Sequence, residues 1–164
     1  MRAKGWATSF PVHRGVREAR RWTAEHLSSL RWTADAPDTA HSVLLTVSEL
    51  VTNAHVHARS TAQLVLTWDG RCLHVSVADS DPCLPAPRDP SREATSGRGL
   101  AIIDALADAW DAHSFHGGKT ITACFHPRVT PAPHTGTGHS HPGHLAQPGH
   151  PGHPGPHAGG SPDA

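Results

Sequence analysis

Neither sign of charge prevails in this 164-residue chain: 14 Lys and Arg stand against 14 Asp and Glu, a formal net charge of zero with histidine neutral. Without a basic excess there is no bulk field drawing the protein to nucleic acid or to an anionic membrane, so direct contact with either is not expected. Long apolar runs are missing too. The segment from Met1 to Val12 carries Arg2 and Lys4 and no such run, which supports neither a signal peptide nor a spanning helix there and makes a cytoplasmic protein the expectation. Cysteine is scarce: Cys72, Cys83 and Cys124 are odd in number and lack paired short spacings. That pattern argues against a disulfide framework and a zinc knuckle, and predicts reduced cysteines in the core or near the surface.

Large aliphatic residues fail abruptly after Phe125. Between Pro127 and Ala164 only Val129 and Leu145 remain among Pro, Gly and His, too little apolar surface to offset ordering entropy, so residues 127–164 are expected to be a disordered tail. Its histidines, His134, His139, His141, His144, His150, His153 and His157, suit weak Ni²⁺, Zn²⁺ or Cu²⁺ binding or a pH-sensitive solubilising role. Residues 1–126 hold all five tryptophans and enough apolar residues for one modest core, so function is sought there.

Periodicity predicts a strand from Trp6 to Val12, ending at Pro11, then an amphipathic helix with Val16, Ala19, Thr23, Leu27 and Leu30 on one side. A loop follows over Asp35 to Thr39, and Asp38 or Thr39 caps a second helix running to about His57. Alternation over Ala62–Trp68 and Leu73–Val77, joined by Asp69-Gly70, is a hairpin whose second strand runs out at Asp79. Pro82, Pro85, Pro87 and Pro90 then forbid regular structure. Gly97-Arg98-Gly99 opens a third helix over Leu100–Ala107, and a last hairpin pairs Trp110–Phe115 with Thr120–Phe125. The order implies an α/β (α+β two-layer) sandwich, with helices on one face of a mixed, mostly antiparallel sheet.

Glu49 and Asn53 lie one turn apart in the second helix. At 100° per residue, with Glu49 at zero, Asn53 falls at about 40° and His57 at about 80°, while Val43, Val47, Leu50, Val51 and Ala54 fall roughly between 100° and 200°. A carboxylate and a carboxamide thus border the buried seam, where one serves as proton acceptor and the other as a neutral oxygen ligand for a hard cation. On a helix surface such a pair is also common as mere solvated neighbours. Asp79, acceptor-only at a strand end, suits an exocyclic amine such as that of adenine, although a lone Asp there is more often a turn residue. Gly97 and Gly99 allow close backbone approach, and the amides opening the helix can face phosphate oxygens, unless they form a plain glycine turn. Arg98, with Arg88 and Arg92 in the loop, can add charge-assisted contacts.

Together these elements resemble the GHKL, or Bergerat, ATP-binding fold. Val47-Ser48-Glu49-Leu50-Val51-Thr52-Asn53-Ala54 and Ser96-Gly97-Arg98-Gly99-Leu100 are near-verbatim forms of the boxes of the actinobacterial anti-sigma factor serine/threonine kinases, and the resemblance covers roughly residues 6–125. It implies ATP and Mg²⁺ as cofactors, with Glu49 as general base and Asn53 as Mg²⁺ ligand. Asp79 would read adenine, Gly97, Arg98, Gly99 and Leu100 would frame the phosphate path, and Thr120 would border the adenine pocket. His57 matches a polar position after the Asn box, for which a buried, hydrogen-bonded histidine is expected. The implied partners are a sigma factor, which it would sequester, and an anti-sigma antagonist protein, which it would phosphorylate; a homodimer is plausible by the same resemblance.

The chain departs from the family at Asp81 and Cys83, where glycine or Ser-Pro is usual. A second carboxylate pointing inward would weaken nucleotide binding, which leaves a non-catalytic nucleotide-sensing module as the alternative. A tail-driven metal-handling protein is a third reading. Gly118-Lys119-Thr120 is no P-loop, because the position five residues before Gly118 is His113. His55 and His57, two apart on a helix, point away from each other and are not expected to share a metal.

Overall fold

The computed structural model describes residues 3–85 and 97–129. The chain forms β1 (Lys4–Phe10), a 3₁₀ turn (Val12–Arg14), α1 (Gly15–Leu27), a short α2 (Trp32–Asp35), α3 (Pro37–Thr52), a π-helical turn (Asn53–His57), β2 (Ala62–Trp68), β3 (Leu73–Asp79), α4 (Gly97–Leu106), β4 (Ala109–Phe115) and β5 (Gly118–Phe125). The five strands lie in the order β1-β2-β3-β5-β4. Every pairing among the described residues is antiparallel, so the antiparallel character is as expected, while no parallel pair gives the sheet the mixed character also expected.

Side chains alternate across this sheet, because successive residues of a strand point to opposite faces. Phe10, Leu64, Leu66, Val75, Val77, Ile121 and Ala123 are buried with Val43, Val47, Leu50 and Val51 of α3; fully burying each such Leu, Ile or Phe contributes about 1.5–3 kcal/mol. The opposite face, with Gln63, Val65, His74, Ser76 and Thr122, is open or half-open. α3 lies against β3 and β5, with α1 and α4 on either side of it. Trp22 of α1 meets Phe10 edge-on, with ring centroids 6.2 Å apart, which anchors α1 to the first strand.

Several boundaries differ from the sequence-based expectations. β1 stops at Phe10 because Pro11 begins the 3₁₀ turn, closed by Arg14 N–H donating to the Pro11 carbonyl at 2.9 Å. α3 starts at Pro37 without a side-chain cap, since Pro supplies the helical φ and lacks the N–H that a cap would satisfy. Thr39, expected as a cap, instead accepts a hydrogen bond at Oγ1 from the Arg128 backbone at 3.1 Å. Arg128 also reaches Asp108 Oδ1 at 2.7 Å, so chain hydrogen-bonded to the domain continues past 126, where the tail was expected to begin. The rest of the proposed tail, residues 130–164, and most of the proline-rich loop, residues 86–96, lie outside the described residues.

The expectation of reduced cysteines holds for Cys83 and fails for the other two. Cys72 and Cys124 are joined by a disulfide across 52 residues, their Cα atoms 6.1 Å apart, and Cys83 is free and exposed. No short spacing announces the pair, because the β3–β5 register, which sets His74 opposite Cys124, brings the two cysteines together.

Candidate functional site

The segment that carries Asn53 changes its helical period. Ala58 N–H donates to the Asn53 carbonyl, five residues back, at 3.2 Å, and such π-turns interrupt the 3.6-residue repeat. The chain then leaves the helix through Arg59, whose φ of 48° is left-handed. Up to Asn53 the 100° arithmetic holds: Leu50, Val51 and Ala54 are buried, while Glu49 and Asn53 are half-buried at the border. Beyond it the phase slips, and the expectation for the histidines is corrected. His57 is exposed; the buried, hydrogen-bonded histidine is His55, whose Nε2 lies 2.8 Å from the Phe10 carbonyl oxygen.

Among the described residues, the Glu49 carboxylate and the Asn53 carboxamide have no side-chain hydrogen bond or ion pair. Two polar groups at the margin of a core that the described residues leave without a partner are placed to serve a ligand. The π-turn packs on β3, the strand that ends in Asp79, and α4 packs along α3. Gly97, Arg98, Gly99 and Leu100 form the first turn of α4, whose N–H groups have no partner within the helix. Four of the elements expected to build the site are therefore neighbours.

Asp79 is buried and lies at the polar end of the sheet's inner face, directly across from Lys119. Its Oδ1 accepts from Lys119 Nζ at 3.0 Å and from the Asp81 backbone N–H at 2.9 Å. Its Oδ2 has no partner among the described residues. A carboxylate held by one oxygen and open at the other is oriented to accept a hydrogen bond from an amine.

Lys119 was not anticipated as part of the site, and strand alternation could have found it. It shares parity with Ile121, Ala123 and Phe125, all buried, as Asp79 does with Leu73, Val75 and Val77. The same parity puts Thr120 on the other face with Thr122, opposite Ala78 and His113. The register therefore does not bring Thr120 to Asp79, and Lys119 occupies the β5 position beside it.

Asp81 is also accounted for. Lys119 Nζ donates to its carbonyl at 3.2 Å and lies 3.6 Å from its Oδ2. The Cys83 backbone N–H, with the Lys119 charge behind it, holds the Asp81 carboxyl below the usual carboxylate range. The second negative charge thus faces an ammonium, which removes much of the repulsion it would offer a bound anion. The nearby Cys83 thiol is pushed up by its hydrogen bond to Asp81, so it is a poor nucleophile.

Close packing fixes this corner. A Cβ on Gly118 would overlap the Asp79 carbonyl oxygen and come within 2.7 Å of Phe115 Cζ, so only glycine fits where β5 passes the end of β3. The groove between β1 and α1, lined by Thr8, Arg14, Glu18 and Trp22 among others, contains none of these residues.

The donor set suits Mg²⁺-ATP: a free acidic acceptor for an exocyclic amine, a neutral amide oxygen for a hard cation, and helix-opening amides for phosphate. The family model for the histidine kinase-like ATPase domain matches residues 13–125. No curated protein matches the chain. With the match spanning α1 through β5 and the site residues carried on the elements just described, the chain belongs to the histidine kinase-like ATPase domain family, of GHKL type.

Proposed function

We propose that the protein is an ATP-binding regulator that phosphorylates a serine or threonine of a partner protein, in the manner of an anti-sigma factor kinase. The observation that carries the reading is the pair Glu49 and Asn53, half-buried and without a side-chain partner among the described residues, beside the strand that presents Asp79, whose Oδ2 is likewise without a partner among them. Bound Mg²⁺-ATP would supply the phosphoryl group and neutralise charge during its transfer. Asn53 would hold the metal through its amide oxygen, and Asp79 Oδ2 would select adenine. Glu49 would take the proton of the incoming hydroxyl, a role worth about 10²–10⁴-fold in rate.

The partners follow from the resemblance of the Glu49–Asn53 and Gly97–Leu100 boxes: a sigma factor that is sequestered and a small antagonist that is phosphorylated. The test is transfer of labelled phosphate to a candidate antagonist by wild type and by Glu49→Ala. Loss of transfer with retained ATP binding supports the kinase. Binding without any Glu49-dependent transfer would instead establish the non-catalytic module, whose main support, repulsion from Asp81, is reduced by Lys119.

A further inference from the structure

At the far end of the β3–β5 pair from Asp79, about 20 Å away for six residues of strand, the structure assembles a second chemical cluster. One ligand atom each from Cys72, His74 and Cys124 lies within 4.8 Å of the others. His74 and Cys124 are direct cross-strand partners, while Cys72 stands at the close of the β2–β3 turn. That turn is held by Asp69, whose Oδ1 accepts from the backbone N–H groups of Arg71 and Cys72, both at 2.8 Å. The other oxygen of Asp69 lies 3.1 Å from His74 Nε2.

We propose that, once its disulfide is reduced, this cluster is a thiolate-rich site for a divalent d¹⁰ cation such as Zn²⁺. Cys72 Sγ, Cys124 Sγ and one His74 ring nitrogen are the protein ligands, and Asp69 orients the imidazole. A dithiol reductant transfers two electrons and two protons to the disulfide, leaving two thiols and the reductant's own disulfide. Metal entry then releases the two thiol protons. The chemistry favours zinc because two sulfurs and an imidazole form a common tetrahedral donor set with one position left for water. The sulfurs need only part to about 3.8 Å, the edge of a tetrahedron with bonds near 2.3 Å. A carboxylate on a ligating histidine is the usual outer partner of such sites. Cys124 and His74 are only half-buried, which gives an ion access from the open face of the sheet.

The experiment titrates Co²⁺ into the full chain, oxidised and reduced, without oxygen. The near-ultraviolet sulfur-to-cobalt charge-transfer band is read, and Zn²⁺ is then added to displace the cobalt. Tail histidines cannot produce this band, since it requires thiolate. The expected result is one equivalent of band-forming sites in the reduced protein only. They should be lost in C72S and C124S, kept in C83S, and weakened about 10–100-fold in D69A. Circular dichroism before metal addition shows whether each variant is folded. Absence of the band from folded, reduced wild type, or its persistence in folded C72S/C124S, would overturn the proposal.

Discussion

Lys119 Nζ and Asp79 Oδ1 lie 3.0 Å apart with both side chains buried. The ammonium donates to Asp79 Oδ1 and to the Asp81 carbonyl, and Asp81 Oδ2 lies within ion-pair distance at 3.6 Å. The pair orients the carboxylate to which the proposed function assigns nucleotide recognition, and it closes the polar end of an otherwise apolar face.

Removing one member strands the other. Lys119→Met should destabilise the protein by about 3–5 kcal/mol, because an unpaired buried carboxylate remains. Adding Asp79→Asn should recover part of that loss. Urea unfolding of the wild type, the two single variants and the double variant checks it; strictly additive effects would mean that the two groups are not coupled.

Gly118→Ala tests the close approach of β5 to β3. The added methyl must displace both the Asp79 carbonyl and the Phe115 ring, and overpacking of this kind destabilises by about 1–3 kcal/mol. Thermal unfolding should show the loss, and nucleotide affinity should fall with it because the Asp79 backbone moves.

Thr46 offers a change of the opposite sign. It is fully buried on α3, and its hydroxyl has no hydrogen-bond partner among the described residues. Thr46→Val keeps the shape and removes the unsatisfied group, so it should stabilise the fold by roughly 1 kcal/mol. A lower midpoint in urea would show that the hydroxyl has a partner in solution.

Asp69 links stability to acid pH. Its carboxyl is held at about 2, first by the Cys72 backbone N–H and then by Arg71 and His74, below the unfolded value of about 3.9. A depressed carboxylate stabilises the fold fully above the unfolded value, and the contribution fades as pH falls through the folded one. Asp69→Ala should therefore melt below wild type at pH 7, with the gap closing between about pH 4 and pH 2. A gap independent of pH would assign the effect to packing.

The strands and helices were largely legible because each follows a simple period: alternation in Ala62–Trp68 and Leu73–Asp79, and the apolar seam of Val43, Val47, Leu50 and Val51 on α3. Glu49 and Asn53 were placed correctly at the seam's border because the ideal period lasts as far as Asn53. The exchange of His55 for His57 came from a π-turn, a backbone choice with no clear residue signature. The Cys72–Cys124 bond depends on register, which relates residues 52 apart and cannot be read from local spacing. Lys119 was legible in principle. Its parity with Ile121 and Ala123 marks it as inward-facing, yet a lysine at the start of a strand reads as solvent-exposed unless the facing Asp79 is considered with it.

The central claim is that Asp79, Asn53 and Glu49 serve one nucleotide, and calorimetric titration of Mg²⁺-ATP into the folded wild type, Asp79→Asn and Glu49→Gln tests it most directly. The account predicts one equivalent bound by wild type and by Glu49→Gln with similar affinity. Asp79→Asn should bind at least about tenfold more weakly, since losing a hydrogen bond to a charged group is worth about 1.5–3 kcal/mol. No binding by wild type, or equal binding by Asp79→Asn, would contradict it.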